Sequence, residues 1–228
     1  GIIGDLRLTG VRKIGEYAFY DCTCLNSIEM PQVETIGKNA FYGCHSLTSV
    51  KFPRAKVLEN HAFDFCDELV SIEMPQVKTI GTSAFYQCEK LKEIRLPNVE
   101  TIGEMAFLAC SALEKAEFPK VKTIEPRTFC ECTRLQTIDI SQTETIGEKA
   151  FWGVGLKSIE MPKVKSIGEC AFYNCKEFNE KIELPEIEKI GTKAFYGCEN
   201  ISELKFSEYL EEIEEYAFYG CSKLEKVE

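Results

Sequence analysis

Apolar residues return along this chain on a fixed grid. Phe stands at positions 19, 41, 63, 85, 107, 129, 151, 172, 195 and 218, at intervals of 22 six times and then 21, 23 and 23. Ala precedes it at nine of the ten positions, with Thr128 the exception, and Ile or Leu stands five residues earlier, as at Ile14, Ile36, Leu58 and Ile80. Upstream lies a phrase of the form L-x-x-I-x-M-P-x-V, seen in LNSIEMPQV (25–33) and LVSIEMPQV (69–77). A period in the low twenties with this grid describes a solenoid, in which one coil cannot bury its apolar face alone and stacking supplies the core.

Each repeat reads in two parts. In LNSIEMP, Ile28 and Met30 alternate with Ser27 and Glu29, which predicts a short strand with one buried face, stopped at Pro31 because proline has no amide to donate. In TIGKNAFYGC, Ile36, Ala40 and Cys44 are spaced by four beside Phe41, which predicts one or two helical turns against the core. The Gly after Ile (Gly15, Gly37, Gly81, Gly103) reads as the turn into that segment. The expected fold is therefore an α/β solenoid of about ten 21–23-residue coils, forming one domain over residues 1–228. Short parallel strands line one face and short helical turns the other, with a length on the order of 50 Å at about 5 Å per coil.

Three repeats depart from the period. The seventh is one residue short and carries Val154 where Cys is expected, and FNEKIEL (178–184) and FSEYLEEI (206–213) each carry one extra residue. These read as drift rather than as binding features. The chain starts inside one strand phrase (IGDLRL) and stops inside another (LEKVE), so it reads as a fragment of a longer protein with possible end-to-end self-association at its open ends.

Nine of the twelve cysteines (22, 44, 66, 88, 110, 132, 175, 198 and 221) lie three residues after the repeat Phe. One thiol per coil, all pointing the same way, cannot converge on zinc. Parallel Cβ vectors about 5 Å apart also fall outside the disulfide window. The expectation is that each thiol packs as a small buried hydrophobe, and Val154 fits because it keeps the volume. Cys24, Cys130 and Cys170 fall off this ladder and are expected to be more exposed.

Composition and charge exclude several classes. The 228 residues are 44% hydrophobic and 28% charged, as in a globular chain, and no run approaches the eighteen apolar residues of a bilayer span. The net charge is −10, of which the 14 acids and 6 bases from Glu177 to Glu228 supply −8. Phosphate backbones and anionic lipid repel such a chain, so neither nucleic acid nor membrane insertion is expected. The acids of EYLEEIEE (208–215) read as a solvated face, since no loop pattern fixes cation ligands.

No catalytic constellation stands out. His45 and His61 are the only histidines, both at variable positions and expected on the surface. A phosphate-binding loop, a dinucleotide glycine fingerprint and a Gly-x-Ser-x-Gly elbow are all missing, so no enzyme is expected and no catalytic residue, metal or cofactor is assigned. Two columns of side chains are better candidates for contact. The outward strand positions read Arg7, Glu29, Lys51, Glu73, Arg95, Glu117, Asp139, Glu160, Glu183 and Lys205. Opposite charges alternate through Glu117 and help set register. The four successive acids Glu117, Asp139, Glu160 and Glu183 break that alternation, and like charges across a ladder are destabilising, although Lys115 and Lys181 stand in the neighbouring column. The strip could receive a basic partner segment on the concave face, or be a tolerated solvated face. A second column follows the repeat Phe: Tyr20, Tyr42, Tyr86, Trp152, Tyr173, Tyr196 and Tyr219. These rings could form a contact row, or simply cover one another.

With these residues in view, LTSVKFPRAKVLENHAFDFC (47–66) and IGTKAFYGCENISEL (190–204) resemble the leucine-rich repeats of the BspA-like type, whose phrase is close to L-x-x-I-x-[IL]-P-x-x-[VL]-x-x-I-G-x-x-A-F-x-x-C. The resemblance covers the whole chain and implies a leucine-rich-repeat solenoid. It also implies a non-catalytic protein-binding module at the surface of, or secreted by, host-associated bacteria or parasitic protists, adhering to host proteins such as fibronectin and fibrinogen or to other microbes. No catalytic residue or cofactor comes with it. The alternative is an intracellular interaction scaffold, toward which the unpaired thiols lean.

Overall fold

The computed structural model describes residues 4–178 and 180–228. Among them every regular element is a strand, and none of the expected helical turns forms. All coils but one carry a long strand and a two-residue strand, and most neighbours within each series pair in parallel. The long series runs β1 (Gly4–Arg7), β3 (Leu25–Glu29), β5 (Ser49–Lys51), β7 (Ser71–Glu73), β9 (Glu93–Arg95), β11 (Lys115–Glu117), β13 (Thr137–Asp139), β16 (Glu180–Leu184), β18 (Ile201–Phe206) and β20 (Lys226–Val227). The short series runs β2 (Lys13–Ile14), β4 (Thr35–Ile36), β6 (Val57–Leu58), β8 (Thr79–Ile80), β10 (Thr101–Ile102), β12 (Thr123–Ile124), β14 (Thr145–Ile146), β15 (Ser166–Ile167), β17 (Lys189–Ile190) and β19 (Glu212–Ile213).

The alternation in the sequence sets what is inside. In the second coil Leu25, Ile28, Met30, Val33, Ile36, Ala40, Phe41 and Cys44 are all buried. The repeat Phe rings form one continuous stack from Phe19 to Phe218, with centroids 5.0–5.5 Å apart and near-parallel planes. Phe52 and Phe118 tilt against that stack from the strand side.

The segment read as helical is instead a third ladder, built of turns. Ala40, Tyr42 and Cys44 donate their amides three residues back, to Gly37, Asn39 and Phe41. The alternate residues Asn39, Phe41 and Gly43 donate to Asn60, Ala62 and Asp64 of the next coil, at 2.8–3.0 Å. Asn39 (φ 53°) and Gly43 (φ 69°) are left-handed, and the same two positions recur down the chain as His61 and Phe65, Met105 and Ala109, Lys149 and Gly153. A right-handed helix tolerates neither the left-handed residues nor the loss of every second amide to a neighbouring coil. The cost of the left-handed residues is offset by the inter-coil bonds.

The glycine after Ile has a different cause from the one the sequence suggests. A Cβ on Gly37 would lie 2.8 Å from the Gly15 carbonyl carbon, and one on Gly103 would lie 2.4 Å from the Thr82 amide nitrogen. At these glycines close stacking of coils, rather than a turn, leaves little room for a side chain, although Glu59, Glu125 and Glu214 stand at the same position in other coils. A Cβ on Gly15 would have nothing within 4 Å.

The long-strand ladder is interrupted twice among the described residues. β7 and β9 both exist but do not pair. In the short repeat the strand itself is lost, because Ser158–Glu160 adopts no strand, and the amides of residues 155–161 make no backbone hydrogen bond to a neighbouring coil among the described residues. From Phe151 to Leu156 is five residues, against six from Phe19 to Leu25. The shortened path passes through Gly155, whose Cβ would stand 2.5 Å from the Thr133 carbonyl oxygen. Between β16 and β18 the register shifts between Glu180 and Lys181, as it does between Gly4 and Asp5 where β1 meets β3.

Candidate interaction surface

The thiols are where the sequence puts them, and they do more than fill space. Cys44, Cys66, Cys88, Cys110, Cys132, Cys175, Cys198 and Cys221 each direct Sγ to the carbonyl oxygen of the repeat Phe in the preceding coil, at 3.0–3.3 Å. Val154 cannot donate, so the Phe129 carbonyl has no thiol partner among the described residues. All twelve cysteines are free. Burial pushes the Cys44, Cys110 and Cys221 thiols up to about 12, so these sulfurs stay protonated and unreactive. Of the three off-ladder cysteines only Cys24 is exposed. Cys130 and Cys170 are buried, contrary to expectation, because both sit in the turn ladder, where the next coil covers them.

The outward strand column is assembled in separate runs, with Glu29 opposite Arg7 and Lys51, and Glu117 opposite Arg95 and Asp139, while Glu73 and Arg95 are not paired and Glu160 lies on no strand. Its charges pair in twos: Arg7 with Glu29 at 3.4 Å, Lys51 with Glu73 at 3.8 Å and Arg95 with Glu117 at 3.7 Å. Of the four acids, Glu117 is further neutralised by Lys115 at 2.9 Å and Glu183 by Lys181 at 2.7 Å, which holds the Glu183 carboxyl below its usual range. Asp139 and Glu160 have no cationic partner among the described residues; Asp139 accepts only the Ser141 amide, at 3.1 Å. They flank the opening in the ladder.

The aromatic column is internally stacked, half-buried from Tyr42 to Tyr196 and exposed at Tyr20 and Tyr219. Tyr20 lies on Tyr42 at 5.0 Å, and Trp152, Tyr173, Tyr196 and Tyr219 follow one another at 4.1, 4.7 and 5.0 Å. Tyr86 instead meets Phe65 edge-on, at 5.3 Å. Between Tyr42 and Tyr86 the column position is Asp64, a residue that sequence reasoning passed over. Its side chain is 6% exposed, Oδ2 lies 2.8 Å from His61 Nδ1, and Oδ1 has no partner. Burial, opposed by His61, pushes the Asp64 carboxyl up to about 6. The gap in the Tyr column was the available signal. His45 is exposed, as expected, and bonds Asp67 at 2.6 Å, while His61 is a partial lid on a buried acid. The acids at 208–215 are partly bound: Lys189 meets Glu212 at 2.9 Å and Glu214 at 2.6 Å, and with Thr192 it holds Glu214 down to about 2.

A sequence profile of the BspA type leucine-rich repeat region matches this chain in six copies, over residues 6–76, 56–179 and 179–228. The chain belongs to the BspA-type leucine-rich repeat family. Among solved structures it is similar to a leucine-rich repeat protein of T. pallidum, with 26% identity, a TM-score of 0.60, and coverage of 65% of this chain and 75% of that one. It is also similar to leucine-rich repeat proteins of Bacteroides ovatus and Eubacterium ventriosum, each 22% identical with a TM-score of 0.54, over 98% of this chain and 86% and 72% of theirs. At that identity the likeness concerns the fold. No curated protein matches the chain. Among the described residues of this BspA-type solenoid, no helix is long and apolar enough to cross a membrane, and no group of three or more His, Cys, Asp or Glu could hold a metal ion.

Proposed function

We propose that this chain is a non-catalytic protein-binding module that works at the cell surface or outside the cell, mediating adhesion to host or neighbouring-cell proteins through its long-strand face. Membership of a repeat family that serves protein binding supports the general role. The observation that carries the choice of face is the charge pattern. Ion pairs neutralise the column along most of its length, and Asp139 and Glu160 alone among the four successive acids lack a cation. The aromatic row is the secondary contact surface. A chain of net charge −10 favours basic protein partners over nucleic acid.

The test is binding to immobilised fibronectin, to fibrinogen and to epithelial cells, at low and physiological salt. Saturable binding that weakens with salt is expected, and its absence at micromolar protein would overturn the adhesive reading. The free thiols support a second reading, an intracellular scaffold, because twelve unpaired cysteines suit a reducing compartment. End-to-end self-association of the solenoid is a further part of this proposal. A strictly monomeric mass by light scattering at high concentration would remove that idea.

A further inference from the structure

Two grooves flank the segment Ser158–Glu160, which has lost its strand. One, of about 200 Å³, lies between this segment and Thr137–Ser141. The other, of about 390 Å³, lies between the segment and Lys181, Glu183 and Pro185. The main-chain groups of Ser158–Glu160, which in every other coil belong to the long-strand series, make no inter-coil bond among the described residues. The two acids without cations, Asp139 and Glu160, stand on the same rims. The break between β7 and β9 differs, since the charges beside it are already matched, Glu73 by Lys51 and Arg95 by Glu93 and Glu117.

Unpaired carbonyls and carboxylates both accept hydrogen bonds. A guanidinium or ammonium group brings donors without acceptors, and Arg in particular can fork between a carbonyl and a carboxylate. The grooves lie one coil apart, about 5 Å, while alternate side chains of an extended peptide are roughly 6.5–7 Å apart on the same side. Lys181 rims the second groove but is already engaged by Glu183 and Glu203, at 2.7 and 3.4 Å.

We propose that the short repeat is a docking site for an extended basic segment of a partner protein. Two cationic side chains at alternate positions (Arg-x-Arg or Lys-x-Lys) enter the two grooves and pair with Asp139, Glu160 and the freed main-chain carbonyls. The freed amides donate to the segment's own carbonyls. The proposal rests on the reading of the long-strand face as the binding surface, and it names the chemistry of the partner.

The probe is a fluorescein-labelled Arg-Val-Arg-Val-Arg peptide followed by anisotropy, beside an Arg-Arg-Arg-Val-Val peptide of equal charge and a Glu-for-Arg version. The alternating peptide is expected to bind most tightly and to slow hydrogen exchange at residues 158–160. The double variant Asp139→Lys/Glu160→Lys should lose at least about tenfold in affinity. So should the near-isosteric Asp139→Asn/Glu160→Gln, which keeps the test valid if charge reversal harms folding. Glu29→Lys, in a regular coil, should bind the peptide like the parent. Equal affinity for the two arginine peptides, unchanged binding by the double variants, or no binding at millimolar peptide would overturn the proposal. If fibronectin or fibrinogen bound the double variants as well as the parent, the docking site would fall and the adhesive reading would stand. If only the peptide bound, the reverse would hold.

Discussion

The pentapeptide Ser-Ile-Glu-Met-Pro occurs three times in this chain, at 27–31, 71–75 and 158–162. Its first two copies supply strands β3 and β7, whereas in the third, Ser158–Glu160 is not a strand at all. Local preference is identical in the three, so it cannot be the cause. What differs is the length of chain leading in, one residue shorter from Phe151 to Leu156. The loss is also confined to one face. Across the same repeat, β14, β15 and β17 stay paired, Phe151 and Gly153 still donate to Ala171 and Tyr173 at 2.8 Å, and Phe151 and Phe172 still stack at 5.2 Å. The three ladders of a coil therefore tolerate irregularity independently, and the turn and short-strand ladders hold the spacing when the long-strand ladder fails.

That comparison can be broken most sharply in the Phe stack. Phe107→Ala in a regular coil and Phe172→Ala in the short repeat should each cost about 3–5 kcal/mol in urea unfolding. A cost below about 1 kcal/mol at Phe172 would mean that the short repeat is loose throughout rather than on one face. Next in size is coil spacing: Gly103→Ala must push the Thr82 backbone away and should cost about 1–3 kcal/mol, whereas Gly15→Ala meets nothing within 4 Å and should be neutral or slightly stabilising. Equal effects at the two positions would overturn the close-stacking explanation.

Asp64 is an irregularity of another kind, and pH separates it. Its carboxyl titrates near 6 in the fold against an ordinary 3.8, so the folded chain holds that proton more tightly. Stability from this group is complete below the ordinary value and is lost as pH rises through 6. Asp64→Asn cannot ionise. Its melting temperature should match the parent near pH 4 and exceed it by a few degrees near pH 7, with the gap opening between. A gap independent of pH would contradict a buried, destabilising carboxylate. The smallest effect belongs to the thiol ladder: Val154→Cys restores a donor to the Phe129 carbonyl and should stabilise by no more than about 0.5 kcal/mol. A larger gain would mean that the sulfurs carry more of the fold than their weak bonds allow.

The period, the Phe stack and the buried columns were legible because each follows from which positions are apolar. The helical reading failed because Ile36, Ala40 and Cys44, spaced by four, fit equally a helix face and a run of turns with two left-handed residues. Asn39, His61, Met105 and Lys149 at the first left-handed position do not announce it as glycine would. The glycine column was visible but its reason was not, since close approach between coils is a property of the stack. The outward column was readable as alternating charge. The opening beside Asp139 and Glu160 was not, because Ser158–Glu160 has the letters of a strand and loses its partners only through the missing residue before it.

The arrangement of ladders has a mechanical consequence. Each coil holds only its neighbours, so tension applied along the solenoid passes through every joint in series and the joint with fewest parallel bonds sets the strength of the whole. The two joints on either side of Ser158–Glu160, the β7–β9 joint and the β10–β12 joint each keep two ladders where the others have three. A protein anchored at one end and pulled at the other would yield first at one of these joints, as a chain parts at its thinnest link. The segments on either side would stay coiled, with the Phe column of each still closed.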